Sequence, residues 1–253
     1  MGAAAVERAA RQRQLGAALS SHHDRGVLWM VAAGWPLLPA AGYALGRSPV
    51  GVACCLLLTL AGAVGTWLTR AHRAVHLYEG GAVRTDLFGR VRAAAPRGAL
   101  SLRIKRVLPR YGRPPLFAYA LSVDDREGFG FGARQLTGGG TRVAHALLGG
   151  APDGPDDRLT AALLALDTLG EAVFGELRIT RQAVSTPEHG AVPLGTVTAV
   201  RARVADRPAP APPLGLLHLT TGDHPRGGRT LYCPAEDALT AAELVAALAA
   251  RAV

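Results

Sequence analysis

Lysine is almost missing from this chain: Lys105 is the only one, so nearly all of the 28 basic residues are arginine. Heavy use of Ala, Gly and Pro accompanies it, a bias that reads as a high-GC genome, and the arginine count alone therefore says little about binding. Cysteine is scarce as well. Cys54 and Cys55 are adjacent inside an apolar block and Cys233 stands alone. Without a CxxC spacing or an even set of cysteines there is neither a disulfide framework nor a thiolate metal knuckle, which suits a reducing compartment. The eight histidines include no HExxH pair and are scattered, so no zinc site is assigned. No GxSxG stands before a helix, and Ser101, Ser122 and Ser185 have no His and Asp arranged near them. These absences remove the usual signatures of catalysis. The sequence reads as non-enzymatic and assigns no cofactor.

Negative charge is the next shortage, and it is local. The chain carries a formal +9. Between residues 84 and 113 stand Arg84, Arg90, Arg92, Arg97, Arg103, Lys105, Arg106, Arg110 and Arg113, against Asp86 alone. A basic excess so placed implies an acidic surface or an acidic partner more than it implies a fold. The run 97–113 is the best candidate for binding, through Arg97, Arg103, Lys105, Arg106, Arg110 and Arg113. Each basic residue near an anionic headgroup layer contributes on the order of 1 kcal/mol. The plain alternative is a solvated strand face on which arginine replaces lysine. Nucleic acid is not expected, because the run lacks interleaved aromatic residues for stacking. A glycine run, Gly138–Gly139–Gly140 before Thr141 and Arg142, lacks the Lys-Ser/Thr ending of a phosphate-cradling loop and reads as a turn.

Charge of either sign is missing altogether from 27–46 and from 50–69. About 20 residues at the helical rise match a hydrocarbon core of roughly 30 Å, and only four turn-forming residues separate the two stretches. They read as a transmembrane helical hairpin (27–46 and 50–69). Arg8, Arg11, Arg13 and Arg25 precede it, Arg70 and Arg73 follow it, and the turn has only Arg47. Positive-inside then puts both termini in the cytoplasm of an inner (plasma) membrane protein, with 1–26 as a cytoplasmic N-terminal segment containing a short helix. The lipid bilayer is thus an expected integral partner, with anionic lipid headgroups and an unknown protein partner as further ones.

After the hairpin the pattern changes to short alternating runs punctuated by glycine, at 74–79, 82–86, 100–107, 116–123 and 128–135, followed by helical spacing over 156–169. The order then recurs, with strands at 175–180, 183–186, 191–204, 214–220 and 230–233 and a helix over 238–250. A shift of about 101 residues aligns Ala82 with Ala183, Val83 with Val184, Thr85 with Thr186, Gly89 with Gly190 and Val91 with Val192. An internal repeat is expected, as two modules over 74–169 and 170–253.

His76-Leu77-Tyr78-Glu79-Gly80-Gly81-Ala82-Val83 and the segment from Leu169 to Ile179 resemble the module openings of an uncharacterised bacterial membrane family. That family carries a two-helix hairpin before tandem pleckstrin-homology-like (PH-like) modules. The chain departs from it at Leu194, where the family often has tryptophan. The resemblance implies an α+β fold: the hairpin, then two small PH-like β barrels or sandwiches, each ending in an α-helix. It also implies a membrane-anchored binding or scaffold role without catalytic residues. The alternative is a membrane-bound enzyme with a site between the modules.

Overall fold

The computed structural model describes residues 2–24, 57, 60–62, 64, 73–86, 88–124, 126–149, 155–204, 215–222 and 229–252. They include three antiparallel sheets and four helices with described bounds, distributed over two compact units, and Leu57, Leu60, Ala61, Gly62 and Val64 are helical as well.

The first unit comprises residues 1–94 and 134–137. Helix α1 (Gly2–Gln12) is followed by strand β1 (Ala18–His23), and β2 (Ala74–Tyr78), β3 (Gly81–Thr85) and β4 (Val91–Pro96) complete a meander in the order β1-β2-β3-β4. Val6 and Ala10 lie on one face of α1 and pack with Leu15, Tyr78 and Val83, while Glu7 and Arg11 pair on the solvent side at 3.6 Å. This is the division an amphipathic helix requires to be held on a sheet. Segment 134–137 is pinned to β1. His23 N and the His22 ring bond to Thr137, and Gln135 donates to both carboxylate oxygens of the buried Asp24.

The second unit comprises residues 95–133 and 138–253. Its main sheet has six strands in the order β14-β13-β12-β5-β6-β7. These are β5 (Leu100–Leu108), β6 (Leu116–Val123), β7 (Arg126–Gly132), β12 (Val197–Val204), β13 (Gly215–Thr221) and β14 (Arg229–Ala235). A second sheet, β11-β10-β9-β8, is built from β8 (Glu171–Phe174), β9 (Leu177–Thr180), β10 (Ala183–Thr186) and β11 (Gly190–Pro193). Helices α2 (Gly140–Leu147) and α3 (Pro155–Leu169) follow β7, and α4 (Ala238–Ala252) follows β14. In the six-stranded sheet alternate residues turn inward: Leu102 and Ile104, Val200 and Ala202, Leu217 and Leu219, Tyr119 and Leu121, Phe129 and Phe131 are all buried. Helix α4 covers the middle of that inner face, and its residues from Ala238 to Leu248 are buried on every side. Alanines at 241, 242, 246 and 247 let it lie close to its neighbours. Gly215 does the same from the sheet, because a Cβ there would collide with the Cβ of Ala238.

The element order occurs twice. Four strands, a 3₁₀ turn and three strands make up β1 to β7, and the same series makes up β8 to β14; the turns are Arg97–Ala99 and Leu194–Thr196.

Two expectations are corrected. The two separate PH-like barrels are not formed, since strands from both parts of the chain share the six-stranded sheet through the antiparallel pair β5–β12. Left apart, these two strands would each expose an edge of unpaired N–H and C=O groups, and pairing them satisfies both. The membrane hairpin is likewise unsupported: no helix among the described residues is long and apolar enough to cross a membrane. The inner-membrane location, the integral bilayer contact and the cytoplasmic assignment of 1–26 rested on that hairpin and are withdrawn with it. Stretches 27–46 and 50–69 lie outside the described residues except for Leu57, Leu60, Ala61, Gly62 and Val64. The sequence criterion was uncharged length, which a run containing Pro36 and Pro39 meets without specifying a helix. The short helix expected over 3–20 ends earlier, at Gln12, and residues 18–20 belong instead to strand β1, paired with β2 from Ala18–Tyr78 to His23–Ala74.

Candidate anion-binding face

The outer face of the six-stranded sheet is set by the alternation that fills its inner one. On β12, Val200 and Ala202 point inward, so Arg201 and Arg203 point outward. On β5, Leu102 and Ile104 are buried and Arg103 is exposed between them. The register places Arg103 directly opposite Arg201, Arg201 opposite His218, and His218 opposite Tyr232. A row of four polar side chains thus crosses β5, β12, β13 and β14. Thr220 and Thr230 face each other two residues further along, and Arg203 stands two residues away from Arg201 along β12.

These residues, with Thr198 and Ala199, line a hollow of about 480 Å³. None of the described lining residues is acidic. Like charges directly opposite on neighbouring strands are unfavourable, and cross-strand pairs count for roughly 0.2–1 kcal/mol each. Arg103 and Arg201 form such a pair. Two fixed elements frame them: Arg203 Nη2 donates to the Gly98 carbonyl at 3.1 Å, and the His218 and Tyr232 rings meet edge to face with centroids 4.5 Å apart.

The pairing carries a local two-fold relation. A shift of 98 residues takes Arg103 to Arg201, and it turns the pair Leu102–Ala202 into Val200–Ile104, which is also a pair. The axis therefore passes through the two arginines.

The six basic residues singled out in the sequence are not one cluster. Arg103 lies in the hollow. Arg106 shares its face, because the register shift between Ile104 and Arg106 leaves Lys105 as the extra bulge residue and sets Arg106 opposite Ala118, two residues from the Ala120 that faces Arg103. Arg97 sits in the 3₁₀ turn before β5, where burial pulls its guanidinium below the usual arginine range and its Nε makes no hydrogen bond among the described residues. Arg110 and Arg113 lie in the turn 109–115 beyond β5. Arg201, Arg203, His218 and Tyr232 were not found from sequence. The alternation over 200–204, Val-Arg-Ala-Arg-Val, was the available signal for a strand with one basic face, and only the pairing with β5 places it beside Arg103.

A second polar cluster lies on the inner side. Tyr119, His145 and Glu243 are joined by hydrogen bonds, and each is no more than 2% exposed. Sealed from solvent, this cluster joins β6, α2 and α4 and offers no opening to a substrate. No group of His, Cys, Asp and Glu among the described residues is arranged to hold a metal ion.

No family model, no curated protein and no solved structure matches the chain. The resemblance to the hairpin-bearing PH-like family is thereby corrected. It rested on two short segments, from His76 to Val83 and from Leu169 to Ile179, and both are the strand–turn–strand units β2–β3 and β8–β9. Any antiparallel meander uses such units, so they do not identify a family.

Proposed function

We propose that the chain is a non-catalytic binding protein that takes an anionic ligand on the outer face of its six-stranded sheet. The observation that carries this reading is the direct opposition of Arg103 and Arg201 in a hollow with no carboxylate among its described lining residues. An anion held between two guanidiniums removes their mutual repulsion and gains charge-assisted hydrogen bonds from both. The sheet supplies a rigid base, with α4 fixing it from behind.

Calorimetric titration of the full chain with tripolyphosphate, in 50 and 300 mM salt, tests the reading. Binding that weakens at the higher salt and is lost in the double variant Arg103→Gln, Arg201→Gln is the expected result. No binding by the wild-type chain, or undiminished binding by the double variant, would overturn it.

A further inference from the structure

The β5–β6 hairpin outruns the sheet it belongs to. Pairing between β5 and β6 continues to Leu108–Leu116, whereas β12 pairs with β5 only from Ser101 to Ile104. Residues 105–108 therefore have no β12 partner, and the turn 109–115 lies beyond them. We infer that this tip is a docking surface for an anionic lipid bilayer, engaged from one side through arginines and a tyrosine and without a spanning helix. None of the tip residues lines the hollow, so the inference goes beyond the anion-binding reading and does not rest on it.

Charge comes first. Lys105, Arg106, Arg110 and Arg113 fall within nine residues of chain, and no acidic residue stands between Asp86 and Asp124. Arg106 and Arg113 are exposed and Arg110 is half-buried. The side chains of these three arginines make no hydrogen bond or ion pair among the described residues. Nothing in the hairpin neutralises them, and a sheet of anionic headgroups would. Each basic residue close to such a surface strengthens binding roughly fivefold, so three arginines supply about a hundredfold.

The apex comes second. Tyr111 is fully exposed, and its ring makes no hydrogen bond or ring contact among the described residues. Gly112 beside it takes φ +63°, and a Cβ there would meet nothing within 4 Å, so the apex is open. Leu108, at the end of β5, is 42% exposed. Tyrosine rings concentrate at the headgroup level of bilayers, where the phenol stays hydrated while the ring reaches the acyl boundary. Pro109, Pro114 and Pro115 fix φ on both sides of the apex, which leaves less freedom to lose on docking. A lone ring beside an aliphatic side chain suits a continuous anionic layer better than a single nucleic-acid strand, whose successive bases stack on several rings.

The test is cosedimentation of the full chain, at low salt, with vesicles of phosphatidylcholine alone and of phosphatidylcholine with one-third phosphatidylglycerol. The wild-type chain should partition onto the anionic vesicles at least tenfold more strongly than onto the neutral ones. The triple variant Arg106→Gln, Arg110→Gln, Arg113→Gln should lose that preference. Tyr111→Ser should weaken binding to the anionic vesicles at least threefold, whereas Tyr111→Trp should retain it; thermal melts confirm that all three variants fold. The double variant Arg103→Gln, Arg201→Gln should bind vesicles as the wild type does. No preference in the wild-type chain, or an undiminished one in the triple variant, would overturn the inference, and Tyr111→Ser equal to the wild type would overturn the part given to the ring. Loss of vesicle binding in the double variant alone would transfer it to the hollow and overturn the tip. Binding of oligothymidylate that is lost in the triple variant, with the vesicles ignored, would make the partner a nucleic acid and overturn the lipid assignment.

Discussion

Tyr119 and Glu243, 124 residues apart, are joined by a hydrogen bond of 2.7 Å in which the phenol donates to the carboxylate. The other carboxylate oxygen lies 3.3 Å from His145 Nε2. A carboxylate 1% exposed in the middle of α4 is tolerated because donors from β6 and α2 reach it.

Tyr119→Phe removes one of those donors and leaves the carboxylate under-satisfied. The expected loss is about 1–3 kcal/mol. At roughly 2–4 °C per kcal/mol for a chain of this size, thermal unfolding should fall by several degrees. A melting temperature equal to that of the wild type would show that the bond adds nothing to stability.

Gly215 and Gly195 provide a matched comparison. A methyl group at 215 meets the Cβ of Ala238 at the start of α4, so Gly215→Ala must displace the helix or the strand, at a cost of about 1–3 kcal/mol. Nothing lies within 4 Å of a Cβ at 195. Chemical denaturation should therefore show a clear loss for Gly215→Ala and a change within about 0.5 kcal/mol for Gly195→Ala.

His76 gives stability a pH dependence. Burial, together with the nearby His23 and His22, holds its imidazole below the ordinary value of 6.5. Between the depressed native value and 6.5 the unfolded chain binds the proton and the folded chain does not, so unfolding takes up a proton and stability rises with pH. Urea unfolding at pH 5, 6, 7 and 8 should show stability climbing toward pH 6.5 and levelling above it. His76→Gln should flatten that slope, and an unchanged slope in the variant would remove His76 as its source.

Cys233 should be unreactive while the chain is folded. Burial, aided by Glu188, pushes its thiol up to about 11, so at pH 8 only about one thiol in a thousand is ionised. Iodoacetamide at pH 8 should alkylate the Cys233 peptide at least a hundredfold more slowly in the folded chain than in guanidinium, as read by mass spectrometry. Comparable rates would mean that the thiol is accessible.

Much of the local structure was legible in the sequence. Alternation marked β2, β3, β5 and β6 within a residue or two, and helical spacing marked α3 and α4. Two things were not legible. Segment 18–23 follows a helix and is strongly polar, so its strand state comes from pairing with β2, which no local pattern announces. The face that gathers Arg103 with Arg201 depends on the register of two strands about a hundred residues apart. Register is a tertiary fact: one residue of slip on β12 would have turned Arg201 and Arg203 into the core. The basic run was therefore visible as charge, but only Arg103 of its six candidates lies in the hollow.

The two-fold relation through Arg103 and Arg201 has a consequence for how a ligand is oriented. In an assembly of two identical chains, every residue flanking the axis would occur twice, and a molecule lying across it would fit equally well in either of two opposed directions. Here a single chain supplies both sides. His218 stands next to Arg201 where Ala120 stands next to Arg103, and beyond them Tyr232 answers Gly130. One arm of the row has rings and the other has almost no side chain. A bound molecule is thus given a head and a tail, a polarity that no pair of identical subunits meeting on such an axis can impose.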